Sequence, residues 1–118
     1  MNKEEFLKEV RKEIETIRNI ATRQELERLD FQHFNPISSS LCIYGQMTGW
    51  CGSKRAKEIY KKTLGYVGYC FSTEEIHNFK PGLGYTTLEA YIMFPGSPNE
   101  QIIKYLKKET NDLHLTLK

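Results

Sequence analysis

The sequence predicts a single α+β domain over residues 1–118, with a small sheet of about four strands. An N-terminal helix pair and two further helices are expected to pack with this sheet. Hydrophobic residues at 39% and charged residues at 27% are typical of a folded globular chain, and this length fits one domain. Helix-period segments alternate along the chain with short apolar segments of strand length. The order of the strands is not readable from these patterns.

The N-terminal helix pair is predicted from periodicity and capping. Apolar residues recur every three or four positions in the first segment: Phe6, Val10, Ile14, Ile17 and Ala21. This spacing places them on one face of a helix over 3–20. Thr22 and Glu25 have the spacing of a capping box, which predicts a second helix over 23–30.

The remaining elements follow from composition and helix-start signals. Apolar, aromatic and β-branched residues predict strands over 41–44, 66–71, 85–94 and 113–117. Ser53 is a suitable N-cap for a helix to about residue 64. Ser97-Pro98-Asn99-Glu100 predicts a helix that ends near Glu109. A short helix over 72–78 is also expected from cap spacing.

Charge and terminal composition exclude several classes of protein. The net charge of +2 argues against a dedicated nucleic-acid binder, which usually has a strong basic excess. No apolar run approaches the roughly 20 residues of a membrane span. The charged start after Met1 leads into no apolar signal region, so we expect a cytoplasmic protein with free thiols.

The segment from Gly45 to Arg55 is the most unusual part of the sequence. It places the only Trp, Trp50, and one of three cysteines between glycines, just before a basic helix. Trp is the residue type most enriched in the residues that dominate binding energy at protein interfaces. Trp50 is therefore a candidate anchor for a partner, and packing back onto the core is the alternative.

An anion site is a second interpretation of the same segment. Backbone N–H groups at Gly45, Gly49 and Gly52 could approach a phosphate, and Ser53 begins a helix whose N-terminus favours negative charge. The adjacent Lys54 and Arg55 would add positive charge. The glycine spacing matches neither the Walker pattern nor the dinucleotide fingerprint, so a helix-capping turn is the alternative.

Cys51 is a candidate nucleophile because basic residues follow it at a helix start. A nucleophilic enzyme also needs a base, for which three residues are available: His33, His77 and His114. None of them lies in a recognisable catalytic signature, and the spacing from Cys51 to Arg55 is shorter than the Cys-x5-Arg loop of thiol phosphatases. The thiol chemistry therefore lacks a complete motif.

The soft metal ligands of the chain are not spaced as structural zinc ligands are. They are Cys42, Cys51, Cys70 and His77. Structural zinc sites normally take ligands in pairs two to four residues apart, and no such pair is present. We expect neither a metal nor a cofactor.

Glu89 is the second candidate for chemistry because it interrupts an apolar segment. In a strand it would either face solvent, beside Thr87 and Tyr91, or point inward. Solvent exposure is the simpler expectation. An inward carboxylate would have a raised pKa and would be a candidate catalytic group.

The segment Leu41–Ala56 resembles a family of small proteins from bacteriophages and gut-type bacteria. The segments Thr87–Ile92 and Ile103–Lys107 carry the same resemblance, so it covers about a third of the chain. No activity is attached to this resemblance, and it implies no catalytic residues. It favours a phage-type accessory protein or inhibitor that acts in a host cytoplasm.

The function expected from these observations is binding of another protein, without a membrane or nucleic acid partner. The predicted binding residues form one loop: Gly45, Gln46, Thr48, Gly49, Trp50, Gly52, Ser53, Lys54 and Arg55. The alternative is a small enzyme or a nucleotide- or phosphate-binding protein that uses the same loop. In that alternative Cys51 or Glu89 performs the chemistry.

Overall fold

The computed structural model describes residues 3–35, 38–60, 86–109 and 115–117. Its elements are α1 (Lys3–Ile20), α2 (Arg23–Glu27), α3 (Ile43–Thr48), α4 (Lys54–Tyr60), α5 (Thr87–Ile92) and α6 (Asn99–Leu106). No strand occurs among these residues. The predicted α+β fold with a four-stranded sheet is therefore wrong for the part of the chain described, which is helical.

Helix α1 is the central element and agrees with the predicted bounds 3–20. Its predicted apolar stripe is buried in the core. The stripe packs against α4, α5 and α6. Its opposite face is charged and exposed, and this contrast is what makes the helical period readable in the sequence.

Helix α2 begins with the predicted capping box. The Thr22 hydroxyl accepts the Glu25 N–H at 3.2 Å, and a Glu25 carboxylate oxygen accepts the Thr22 N–H at 2.9 Å. The helix ends at Glu27, three residues before the predicted end at residue 30. Leu26 and Leu29 are buried as expected.

Helix α3 replaces the strand predicted over 41–44. Cys42 is its N-cap, because the Cys42 sulfur accepts the Gly45 N–H at 3.3 Å. Gly49 ends the helix with φ of 96°, a left-handed conformation that L-residues with a Cβ seldom adopt. A short apolar run does not by itself separate a strand from a buried helix, and here Ile43, Tyr44 and Met47 are buried on the helix.

Helix α5 replaces the strand predicted over 85–94. Every residue of α5 is buried, so the sequence lacks the alternation of buried and exposed positions that marks a surface helix. Thr86 and Glu89 form a second capping box at its start. Glu89 is 2% exposed, and the expectation that it faces solvent is wrong.

Helices α4 and α6 agree with the predicted starts to within two residues. Ser53 caps α4, since its hydroxyl accepts the Ala56 N–H at 3.1 Å. Helix α6 starts at Asn99 after Pro98 and ends at Leu106. The predicted strand over 66–71 and helix over 72–78 lie outside the described residues. Of 113–117, only 115–117 is described, and it is not a strand.

The described helices include none with the length and apolarity needed to cross a membrane.

Candidate protein-binding site

Trp50 projects from the loop between α3 and α4 and is 57% exposed. Its exposure is the largest among the exposed large hydrophobic side chains of the described residues, and Leu41 is the other at 41%. The ring lies against Gly52, where an added Cβ would come within 2.6 Å of it. Trp50 therefore rests on its own loop and is not part of the core.

Hydroxyl groups hold this loop in one conformation. The Thr48 hydroxyl donates to the Tyr44 carbonyl at 2.7 Å, and the Ser53 hydroxyl donates to the Thr48 oxygen at 3.1 Å. The Ser53 N–H also donates to the Trp50 carbonyl at 3.0 Å. These bonds fix both ends of the loop, so Trp50 is presented by an ordered backbone.

A second exposed segment lies against this loop. The Cys51 N–H donates to the Ser39 carbonyl at 2.9 Å, which joins the loop to 39–41. Because Leu41 belongs to that segment, the two exposed large hydrophobic residues lie on adjoining loops. We call the exposed residues of the two loops, with the first residue of α4, the Trp50 face: Ser39, Ser40, Leu41, Gly49, Trp50 and Lys54.

The edge of this face at α4 is basic. Lys54 and Lys57 are exposed and lie one turn apart on the helix. Glu58, also exposed, is paired with Arg55 at 3.4 Å. The two exposed lysines therefore give the start of α4, which follows the Trp50 loop, a positive charge.

Other predicted binding residues have structural contacts. Gln46 clamps the loop after α2, since its side-chain oxygen accepts the Asp30 N–H at 2.7 Å and its amide donates to the Asp30 carbonyl at 2.9 Å. Gly45 is buried in α3, where an added Cβ would come within 2.2 Å of the Ser39 carbonyl oxygen. Gln46 and Gly45 therefore support the conformation of the neighbouring loops and do not form an exposed binding surface.

Arg55 points toward the body of the protein and joins α4 to α2. Its guanidinium makes two hydrogen bonds of 2.8 Å to the two carboxylate oxygens of Glu25 and donates to the Ile20 carbonyl at 3.1 Å. The hydrogen bond from Arg55 lowers the pKa of Glu25 to about 2, and the same pairing raises the pKa of Arg55. The charged flank that the sequence assigned to Lys54 and Arg55 is supplied at the surface by lysine.

Cys51 follows Trp50 on the loop and is half-buried, and its side chain is close enough to Cys42 to contribute to raising the pKa of the Cys42 thiol. Of the candidate bases, His33 pairs with Asp30 through its Nδ1 atom, whereas His77 and His114 lie outside the described residues. The described residues contain no group of three metal-ligating side chains. Cys70 is likewise outside them.

Glu89 occupies a buried polar cluster between α1, α3 and α5. One of its carboxylate oxygens accepts the Thr86 N–H at 3.2 Å, and the other accepts the Ile43 N–H at 3.0 Å. Glu89 therefore caps two helices at once. Burial, followed by the negative charge of Glu13, raises the pKa of Glu89 to about 7.

Glu13 is the member of this cluster that sequence reasoning missed. Its carboxylate accepts the Thr87 hydroxyl at 2.6 Å, the Tyr44 hydroxyl at 2.8 Å and the Leu88 N–H at 2.9 Å. Burial raises the pKa of Glu13. Its position within the apolar face of α1, adjacent to Ile14, was the available signal. The carboxylates of Glu13 and Glu89 accept hydrogen bonds that hold the three helices together.

Two surface clefts lie apart from the Trp50 face. One, of about 860 Å³, is lined by the end of α2, the loop after it and α6. The other, of about 690 Å³, lies between the start of α1 and residues 115–117. Neither is lined by residues 45–55. Trp50 therefore lines neither cleft, whereas small-molecule sites are usually concave.

No protein-family model, curated protein or solved structure matches this chain.

Proposed function

We propose that this protein binds another protein through the Trp50 face and that Trp50 is the anchor of the contact. The observation that carries the proposal is the exposure of Trp50, 57%, on a loop that hydrogen bonds hold in place. Tryptophan provides a large contact area with few rotatable bonds. An ordered loop also lowers the entropy that binding must remove.

The charges around the anchor indicate the chemistry of the partner. Lys54 and Lys57 are exposed in the first turns of α4, the helix that follows the Trp50 loop, and they favour a partner with an apolar pocket bordered by carboxylates. Leu41 would contact the edge of that pocket. The contact would occur in the cytoplasm, in a host cell if the protein is a phage-type inhibitor, as the resemblance of Leu41–Ala56 suggests.

The enzymatic alternative has less support among the described residues. Glu89 is 2% exposed, and both of its oxygens accept backbone N–H groups. A phosphate at the start of α4 would compete with the Ser53 hydroxyl, which already accepts the Ala56 N–H. Arg55 is engaged by Glu25. Binding through the exposed ring requires none of these groups to change partners.

Substitution of Trp50 tests the proposal. Trp50→Ala is expected to lower the free energy of unfolding by less than about 1 kcal/mol, because the ring is mostly exposed. The same change should weaken partner binding by about 2 kcal/mol or more. Leu41→Ala is the matched control for loss of an exposed apolar side chain and should weaken binding less.

Wild type and Trp50→Ala are each used to capture binding proteins from lysate. The affinity of the captured protein for each purified variant is then measured by titration. Urea unfolding of each variant checks the fold. Equal affinity of wild type and Trp50→Ala for the captured protein would contradict the proposal. A loss of about 3 kcal/mol or more in unfolding free energy would assign Trp50 a structural role instead.

A further inference from the structure

Two cysteines contact the same backbone carbonyl, that of Ser39 in the Trp50 face. The Cys42 thiol donates to the Ser39 carbonyl at 3.8 Å, and the Cys51 N–H donates to the same carbonyl at 2.9 Å. The Cys51 side chain is also close enough to contribute to raising the pKa of the Cys42 thiol. The fold thus brings together two sulfurs that the sequence separates by eight residues. The reactivity of a cysteine depends on the groups near its sulfur and on the exposure of the sulfur to solvent.

The two thiols differ in their access to solvent. Cys42 is 5% exposed and caps α3, whereas Cys51 is half-buried on the loop that carries Trp50. Burial, followed by the charge of Glu89, raises the pKa of Cys42 to about 12. Cys51 is therefore the sulfur that a reagent in solution reaches first, and Cys42 is placed to react with it afterwards.

We propose that Cys42 and Cys51 are a redox-active dithiol that a small-molecule disulfide, such as oxidised glutathione, converts to an intramolecular disulfide. The Cys51 thiol first loses its proton to water, and its thiolate attacks one sulfur of the small disulfide. The S–S bond of that molecule breaks, one thiolate leaves, and a mixed disulfide forms at Cys51.

In the second step the Cys42 thiol gives its proton to the departed thiolate. The Cys42 sulfur then attacks the Cys51 sulfur, the mixed disulfide breaks, and the second small thiolate leaves and takes a proton from water. The two cysteines lose two electrons in total. These electrons reduce the small disulfide to two thiols, so the exchange is balanced.

The disulfide changes the connection between α3 and the loop without removing the helix cap. The Cys42 sulfur keeps the lone pairs that accept the Gly45 N–H, and the Ser39 carbonyl keeps the Cys51 N–H. The new bond ties the loop that carries Trp50 to the start of α3. Such a bond restricts the unfolded chain, so the oxidised protein is expected to melt at a higher temperature than the reduced protein.

The test uses the full chain with Cys70→Ser, equilibrated in a series of reduced and oxidised glutathione mixtures and then quenched and alkylated. Trypsin releases one peptide, residues 29–54, that contains both Cys42 and Cys51. We expect this peptide to be lighter by two hydrogen atoms than its reduced form and to resist alkylation. Cleavage by chymotrypsin after Tyr44 should leave its two halves joined until a reductant is added.

Two matched variants separate the dithiol from a single reactive cysteine. Cys42→Ser retains a good helix N-cap and should fold, and Cys51→Ser removes the accessible sulfur. In Cys42→Ser we expect only a mixed disulfide at Cys51, at an oxidised glutathione concentration at least about tenfold higher, because the intramolecular step is lost. In Cys51→Ser the remaining Cys42 should stay a thiol.

Wild-type protein provides a second measurement, because Cys70 falls in a different tryptic peptide and does not alter the mass of 29–54. The proposal is overturned if both thiols of 29–54 remain open to alkylation throughout the series. It is equally overturned if oxidation stops at a mixed disulfide on Cys51 and the joined chymotryptic halves never appear. Circular dichroism of the reduced proteins establishes that each variant is folded.

Discussion

The starts of α2 and α5 contain the same capping box in opposite electrostatic environments. In both, a threonine hydroxyl accepts the glutamate N–H at 3.2 Å, from Glu25 at Thr22 and from Glu89 at Thr86. In both, the glutamate side chain accepts the threonine N–H in return. The local pattern is shared, but the remaining hydrogen bonds of the two carboxylates are not.

The difference lies in what each glutamate meets beyond its own helix. The Arg55 guanidinium holds the pKa of Glu25 at about 2. Burial and then the charge of Glu13 raise the pKa of Glu89 to about 7. Hence the folded protein is more stable with Glu25 ionised, and it is more stable with Glu89 protonated because burial and the charge of Glu13 outweigh the hydrogen bonds of the second box. A four-residue motif determines the helix start, and tertiary neighbours determine its response to pH.

The largest effect expected from this comparison is a loss of stability as pH rises from about 4.5 to 7. Glu89 has a folded-state pKa of about 7, above the ordinary glutamate pKa of 4.5. Its contribution is therefore fully present below pH 4.5 and is lost as pH rises through 7. The shift corresponds to on the order of 3 kcal/mol in unfolding free energy. Urea unfolding at a series of pH values measures it.

Glu89→Gln is the control because glutamine cannot titrate. The variant should lose one of the two N–H acceptors of Glu89, yet its stability should vary much less between pH 4.5 and 7 than that of wild type. Subtracting the curve of the variant from that of wild type removes the contributions of the other titrating groups. The exception is Glu13, whose charge is coupled to that of Glu89. Parallel curves for wild type and variant would show that Glu89 is not the titrating group.

The sequence predicted helices where local chemistry was sufficient. Helix α1 is readable because its apolar residues alternate with exposed charged residues at helical spacing. Helix α5 is buried on all sides, and its apolar sequence resembles a strand for that reason. The spacing of Thr86 and Glu89 was nevertheless a readable helix-start signal, because Thr22 and Glu25 have the same spacing and were interpreted correctly.

The contacts of the candidate site were less accessible to sequence reasoning. The sequence left open whether Trp50 is an exposed anchor or packs back onto the core, and its side chain is exposed. The pairing of Arg55 with Glu25 joins residues 30 positions apart, and that of Glu13 with Leu88 joins residues 75 positions apart. Local patterns do not encode partners at such distances. Arg55 was accordingly assigned to the surface, and Glu13 was not singled out.

A smaller effect is expected on removing the cation from the first box. Arg55→Met should lower the unfolding free energy at neutral pH by about 2 kcal/mol, a value reduced for solvent screening because the Arg55 side chain is 36% exposed. Wild-type stability from this pair is present above pH 4.5 and is lost as pH falls toward 2, since the pKa of Glu25 is lowered. The variant should lack most of that acid dependence in urea titrations.

Arg23→Met is the matched control for loss of an arginine. It breaks an exposed pair with Glu27, whose side chains are 90% and 59% exposed, and should cost less than about 0.5 kcal/mol. If the Arg55 and Arg23 variants lost the same unfolding free energy, the Arg55–Glu25 pair would stabilise the protein no more than an exposed ion pair does. The contrast between the two boxes would then depend on Glu89 alone.

The smallest difference concerns the threonine caps themselves. Thr22 is exposed, so in Thr22→Ala water can replace the hydroxyl at the Glu25 N–H, and the loss should be about 1 kcal/mol. Thr86 is 3% exposed, and in Thr86→Ala the Glu89 N–H would be left without an acceptor in a site closed to water. That loss should be about 2 kcal/mol.

Thermal and urea unfolding of the two alanine variants measure this difference, and the serine variants at the same positions are controls. Serine keeps the capping hydroxyl, so Thr86→Ser should recover most of the stability lost in Thr86→Ala. Hydrogen exchange at the Glu89 amide should accelerate in Thr86→Ala more than exchange at the Glu25 amide does in Thr22→Ala. Equal losses in the two alanine variants would mean that burial does not strengthen the second box, because the cap bonds themselves have the same length.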